Sequence, residues 1–153
     1  VVDDDPAICE YMETFLSTTG FDVTTETDPT QVEEEVKRGG YHLVVLDLMM
    51  PKMDGLEAAK KILAMNKTQR LVFASAYVKE TLRDSVKELD QIVELIQKPF
   101  EPKVLVELIE NTAVVKELED INKMLADMNH SKSDDQQIDE LLNILKRIQK
   151  VGL

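Results

Sequence analysis

Short apolar runs that end in polar residues constrain the fold of this chain most strongly. The clearest run, residues 43–46, ends at Asp47 and is followed by a turn that contains proline and glycine. Comparable runs lead to Asp3, to Ser75 and to Lys98. In an open parallel sheet, ligands bind just beyond the carboxyl ends of the strands. If the runs are neighbouring parallel strands, acids, a hydroxyl and an ammonium group meet at one edge of the sheet.

Strand-like and helix-like patterns alternate over roughly the first 100 residues, which predicts an α/β fold with a doubly wound parallel sheet. Strands are predicted at Val1 and Val2 and over residues 21–25, 41–46, 71–74 and 92–96. Helices are predicted over residues 6–19, 30–38, 54–66 and 79–90, and from about residue 100 onward.

The last helix is expected to continue without a break into a heptad pattern, because no proline or glycine lies between residues 103 and 151. The apolar members of this heptad seam are Val114, Leu118, Ile121, Leu125 and Met128. A polar linker over residues 129–135 separates the seam from a second amphipathic helix. The pattern permits a parallel coiled coil, which would make the chain a homodimer, or a hairpin in which residues 136–150 fold back. We also expect an output domain beyond residue 153.

Composition excludes several classes of protein. The 153 residues carry a net charge of −12 and show no basic stripe, so we expect no direct binding to nucleic acid. No apolar run is long enough to span a bilayer, so we expect no membrane association. The only cysteine, Cys9, excludes an internal disulfide and is interpreted as an ordinary helix residue. A cytoplasmic location follows as an expectation.

The polar residues at the strand ends suit phosphoryl transfer. Asp3, Asp4 and Asp47 offer the carboxylates that a small hard cation such as Mg²⁺ prefers. A carboxylate can also attack phosphorus and form an acyl phosphate. Lys98 would neutralise charge on the transferred group, and the hydroxyl of Ser75 would hydrogen-bond to it.

These motifs make the chain resemble the receiver domain of two-component response regulators, the CheY-like superfamily. The resemblance covers residues 1 to about 115 and rests on residues 1–6, 47–55, 75–76 and 98–100. It implies a flavodoxin-like sheet of five strands in the order 2-1-3-4-5. It also implies a receiver domain over residues 1–113 and a helical extension over residues 114–153.

The resemblance assigns a role to each site residue. Asp47 is implied as the phosphoacceptor from a histidine kinase, with Mg²⁺ held by Asp3, Asp4, Asp47 and the backbone carbonyl of Met49. Ser75 and Lys98 match the hydroxyl and the lysine that contact the phosphoryl group. Leu95 stands where the family usually has an aromatic switch residue, and residues 89–91 replace the usual glycine-alanine pair.

Three functions remain open at this point. The leading interpretation is a signalling switch that catalyses only its own phosphorylation and slow dephosphorylation, and is otherwise no enzyme. A Mg²⁺-dependent aspartyl phosphohydrolase would need an acid two residues after the nucleophile, where this chain has Met49. A phosphate-independent interaction or dimerisation module would use residues 114–150 and is kept open by Leu95.

Overall fold

The computed structural model describes residues 1–126 and 135–153, which form parallel strands and flanking helices. The strands are β1 (Val44–Asp47), β2 (Leu71–Ser75) and β3 (Glu94–Gln97). The helices are α1 (Pro6–Thr18), α2 (Val32–Arg38), α3 (Gly55–Met65), α4 (Val78–Leu89), α5 (Pro102–Glu110), α6 (Ala113–Ala126) and α7 (Asp135–Gln149). By its contacts the chain divides into two compact units, Val1–Ala74 and Ser75–Leu153.

The sheet confirms the predicted parallel α/β architecture but not five full strands. Its strand order is β1-β2-β3, and β1 pairs with β2 in parallel so that Asp47 lies opposite Ala74. The first two predicted strands are reduced to single bridges, in which Val2 pairs with both Glu26 and Leu46. Within the described residues, these bridges place Glu26 and Val2 on the outer side of β1, as the order 2-1-3-4-5 requires.

The predicted strand over residues 21–25 is not formed, and Glu26, the next residue, makes a single bridge to Val2 before the chain turns. The Asp28 amide donates to the Glu26 side chain over 2.7 Å, and Pro29 begins a short 3₁₀ helix, Pro29–Gln31. Since proline has no backbone N–H, it cannot extend a strand ladder. The turn therefore ends the pairing with Val2 after Glu26.

The first unit has a core between β1, β2 and the flanking helices. Both strands are buried along their whole length, as expected for a parallel sheet covered on two faces. Helices α1 and α3 turn their apolar sides inward and bury Met12 and Leu16 in α1 and Ala58 and Ile62 in α3. This core holds the carboxyl end of β1 in place.

The second unit contradicts the expectation of one unbroken helix from residue 103 onward. Helix α5 ends at Glu110 and α6 begins at Ala113. Asn111 departs from helical geometry at the break, and its side-chain amide donates to the Gln149 carbonyl over 3.1 Å. The side chain of an asparagine competes with the backbone for hydrogen bonds, which weakens a helix at that point.

Helix α7 folds back on the chain and packs against α4 and α6. The apolar side of α7 buries Ile138, Leu145 and Ile148. Of the heptad seam, Val114, Leu118 and Leu125 are buried within the chain, Ile121 is half-buried, and Met128 lies outside the described residues. The single chain thus has the folded-back arrangement, and a dimer through this seam stays a prediction. Among the described residues, no helix has the length and apolarity needed to cross a membrane.

Candidate functional site

Backbone hydrogen bonds bring the N-terminal acids to the end of β1. The Val2 amide donates to the Val45 carbonyl over 2.8 Å, and the Asp47 amide donates to the Val2 carbonyl over 2.9 Å. Asp3 and Asp4 follow directly, so they leave the sheet beside Asp47. The structure brings these three acids together: one carboxylate oxygen of each lies within 4.8 Å of one oxygen of the other two. We call Asp3, Asp4 and Asp47 the acidic site.

The three acids differ in exposure and in local role. Asp3 and Asp47 are buried, whereas Asp4 is exposed. Asp3 accepts a hydrogen bond from the Asp5 amide over 3.0 Å, which shapes the turn into α1. Asp5 caps α1 by accepting from the Ala7 amide over 2.9 Å. Its role is therefore structural, and it is not counted in the acidic site.

The arrangement fits a small divalent cation. Mg²⁺ binds oxygen ligands at about 2.1 Å, so two ligands on opposite sides lie about 4.2 Å apart. The spacing of the acidic site is compatible with one ion held directly or partly through water. The Met49 side chain is 76% exposed, and the proposed role of its carbonyl stays a prediction.

The loop after Asp47 closes tightly on the strand end because residue 55 is glycine. The Gly55 amide donates to the Leu48 carbonyl over 3.1 Å. A Cβ atom at this position would lie 2.4 Å from the Asp47 carbonyl oxygen, which no side chain tolerates. Asp54 then caps α3 by accepting from the Glu57 amide over 2.8 Å. The close approach of Gly55 thus fixes the position of the Asp47 backbone.

Cys9 lies behind the acidic site and fits the structural interpretation. Its thiol is buried and donates to the Asp3 carbonyl over 3.2 Å. Burial, reinforced by the negative charge of Asp3, raises the pKa of the Cys9 thiol. A thiol in this environment stays protonated and unreactive near neutral pH.

In the second unit, the structure brings Ser75 and Lys98 together. The Lys98 amide donates to the Ser75 carbonyl over 3.0 Å. Ser75 is also the residue that follows Ala74, the partner of Asp47 in the β1-β2 register. The Ser75 hydroxyl is buried and accepts from the Thr81 hydroxyl over 2.8 Å and from the Tyr77 amide over 3.0 Å.

Sequence reasoning missed two residues near these positions. Thr81 is 3% exposed and binds Ser75, and Gln149 is 1% exposed and binds both backbone groups of Leu95. Gln149 follows Leu145 by one helical turn, on the apolar side of α7. A glutamine at an apolar position is the signal that could have indicated a buried polar contact.

Comparison with known proteins places this geometry in a family. Residues 1–110 match the family model of the response regulator receiver domain. The chain is 31% identical over 111 residues to the regulatory protein VanRB of Enterococcus faecalis, a match that covers 72% of this chain and 49% of that protein. It is 31% identical over 110 residues to the alkaline phosphatase synthesis transcriptional regulatory protein PhoP of Bacillus subtilis, covering 67% and 42% respectively. The chain therefore spans less than half the length of either relative.

Solved structures support the same assignment. The receiver TrrA of Thermotoga maritima, solved in complex with Mg²⁺-BeF, aligns with a TM-score of 0.62 and 28% identity, covering 71% of this chain and 92% of that one. Chemotaxis protein CheY4 of Vibrio cholerae shares the fold with a TM-score of 0.65 at 21% identity, with the same coverage of 71% and 92%. The family model, the relatives and the fold all agree with the acidic site at the end of β1. The chain belongs to the response regulator receiver domain family.

Proposed function

We propose that this chain is a phosphorylation switch that accepts a phosphoryl group on Asp47 from a histidine kinase. Phosphorylation switching in two-component systems is the general role of this family. The observation that carries the proposal for this chain is the acidic site, where three carboxylate groups lie within 4.8 Å at the end of β1.

The chemistry requires a nucleophile and charge compensation. One carboxylate oxygen of Asp47 attacks the phosphorus of a phosphohistidine, the P–N bond breaks, and the imidazole of the kinase leaves with its electron pair. The product is an acyl phosphate on Asp47. Asp3 and Asp4 would hold Mg²⁺ together with Asp47, and the cation would offset the negative charge that gathers on the phosphoryl oxygens.

Ser75 and Lys98 are proposed as the groups that respond to the phosphoryl group. Their backbones are joined by the 3.0 Å hydrogen bond from the Lys98 amide to the Ser75 carbonyl, which holds the two residues side by side. The ammonium of Lys98 would pair with one phosphoryl oxygen and the Ser75 hydroxyl would donate to another. Residue 95 is leucine, so the conformational response to phosphorylation cannot be transmitted by an aromatic side chain at this position.

Two other functions make different predictions. A phosphate-independent interaction module is favoured by Leu95, which is fully buried and held at its backbone by Gln149. A phosphohydrolase is disfavoured because the exposed Met49 occupies the position where the second acid would lie.

Incubation with acetyl phosphate and Mg²⁺, followed by intact-mass measurement and phosphate release, separates the three. A switch gives one stable phosphoryl group per chain, a phosphohydrolase releases phosphate over many turnovers, and an interaction module shows neither. Asp47→Asn should abolish labelling. Asp54→Asn is the matched control, since asparagine caps a helix as well as aspartate does and labelling should persist. Labelling of Asp47→Asn at the level of the unmodified chain would refute the proposal.

A further inference from the structure

The outer edge of β3 and the chain just before it are closed by groups from the C-terminal part of the chain. The Asn122 side chain accepts from the Ile92 amide over 2.7 Å and donates to the Ile92 carbonyl over 3.0 Å. The Gln149 side chain does the same at Leu95, with both distances 2.8 Å. Each primary amide thus pairs with one N–H and one C=O, as a neighbouring strand would.

The last residues extend this closure. The Gln97 amide donates to the Gly152 carbonyl over 2.8 Å. Gly152 has φ of 88°, and a Cβ there would lie 3.3 Å from the Leu108 side chain, so glycine suits this close approach. We call Asn122, Gln149 and Gly152 the C-terminal clamp. An open strand edge offers unpaired backbone groups to other chains, and the clamp removes that opportunity.

Helix α4 connects the clamp to Ser75. Helix α7 packs on α4, where Lys79 pairs with Asp139 over 2.9 Å and Arg83 pairs with Asp135. At the start of the same helix, the Ser75 hydroxyl is held by Thr81 and by the amide of Tyr77, the residue that precedes the helix. Both contacts belong to the start of α4, where the Thr81 hydroxyl also lies 2.7 Å from the Tyr77 carbonyl. A Ser75 side chain that rotates toward a phosphoryl group moves its oxygen away from Thr81 and from the Tyr77 amide.

We propose that the C-terminal clamp is a releasable internal cover of the β3 edge, and that Thr81 couples its release to phosphorylation. The proposal rests on the proposed function of Asp47 and Ser75. When Ser75 turns to the phosphoryl group, the start of α4 shifts and the packing of α7 on α4 is lost. Gln149 and Gly152 then separate from β3. The exposed edge and the freed heptad seam of α6 then become available to a second copy of this chain.

One departure from the family pattern lies at the clamp itself. Leu95 replaces the usual aromatic residue, and its backbone is the point that Gln149 holds. In this proposal, the C-terminal clamp takes the place of the rotating aromatic side chain. The clamp is either bound to β3 or released, and phosphorylation shifts the population between these two states.

Residue-resolved amide exchange on the full chain tests the proposal. Beryllofluoride with Mg²⁺ serves as the phosphoryl mimic, and intact mass after acetyl phosphate treatment verifies labelling of the same sample. The amides of Leu95 and Gln97 should exchange at least tenfold faster in the presence of the mimic, while those of the central strand β2 keep their rates. The rise should be lost in Thr81→Val and restored in Thr81→Ser, which keeps the hydroxyl.

Ser85→Ala is the matched control. It also removes a buried hydroxyl from α4, but one that binds Gln91 rather than Ser75, so the tenfold rise should persist. A labelled chain whose Leu95 and Gln97 amides do not speed up would overturn the clamp proposal and leave the proposed function standing. A chain that takes no label at Asp47 would overturn both. An equal rise in Thr81→Val would overturn the role of Thr81, whatever the stability of that variant.

Discussion

The acidic site and the C-terminal clamp treat polar groups in opposite ways. The acidic site gathers three carboxylates within 4.8 Å, so like charges oppose one another until a cation arrives. The clamp pairs neutral amides with backbone groups at 2.7–3.0 Å, so its polar atoms are satisfied in the resting chain. Cation binding therefore stabilises the acidic site, whereas the clamp stabilises the chain before phosphorylation. A switch requires both, because the energy gained at the acidic site has to outweigh the contacts that hold the resting state.

The largest effect is expected where the backbone of the acidic site is closest packed. Gly55→Ala places a methyl group 2.4 Å from the Asp47 carbonyl oxygen, so the backbone of the site has to move. Overpacking against backbone should lower the free energy of unfolding by about 3 kcal/mol or more. Phosphorylation of any folded fraction should fall as well. Urea denaturation and intact-mass labelling measure the two effects.

Gly40→Ala is the control for this variant. Gly40 has φ of 86° with open space around its Cβ position, so alanine there is strained only by the backbone. We expect a loss of about 1–2 kcal/mol and unchanged labelling. Equal losses in the two variants would mean that the close approach at Asp47 is unimportant.

The next effect tests whether the clamp stabilises the resting chain. Gln149→Leu leaves the amide and the carbonyl of Leu95 without their partner, since leucine fills the space but makes no hydrogen bond. Each unsatisfied buried group costs about 1–3 kcal/mol and two are left, so the free energy of unfolding should fall by at least that amount. Light scattering should show more dimer than in the unmodified chain. Gln136→Leu, at an exposed position of α7, should leave stability and mass unchanged.

The same comparison explains what sequence reasoning could predict. Asp3, Asp4 and Asp47 were found because strand ends in a parallel sheet converge by topology, and the acids directly follow apolar runs. The clamp was not found, because Gln149 and Leu95 are 54 residues apart and a side-chain amide on a strand edge has no periodic pattern. The heptad seam was ambiguous for a physical reason: the same spacing serves a partner helix from another chain or from this one.

The smallest effect concerns the ion pairs between α4 and α7. Lys79→Gln removes the contact with Asp139, and since Asp139 is exposed and Lys79 is only half-buried, stability should change by about 0–1 kcal/mol. The hydrogen bond to Asp139 raises the pKa of Lys79, so the pair persists at neutral pH and is lost as the pH rises through that raised value. Lys87→Gln, another exposed lysine of α4, is the control. A loss of several kcal/mol would mean that charge, rather than the apolar side of α7, holds the helix in place.

Asp47 is the residue proposed to carry the phosphoryl group, and its chemical identity can be tested directly. Borohydride reduces an acyl phosphate on aspartate to homoserine, and tandem mass spectrometry of the digested chain then locates the residue. After acetyl phosphate and Mg²⁺ treatment, homoserine should occur at position 47 alone, and only when Mg²⁺ is present. Homoserine at Asp3, Asp4 or Asp54, or a phosphoryl group that resists borohydride on a hydroxyl side chain, would contradict the account.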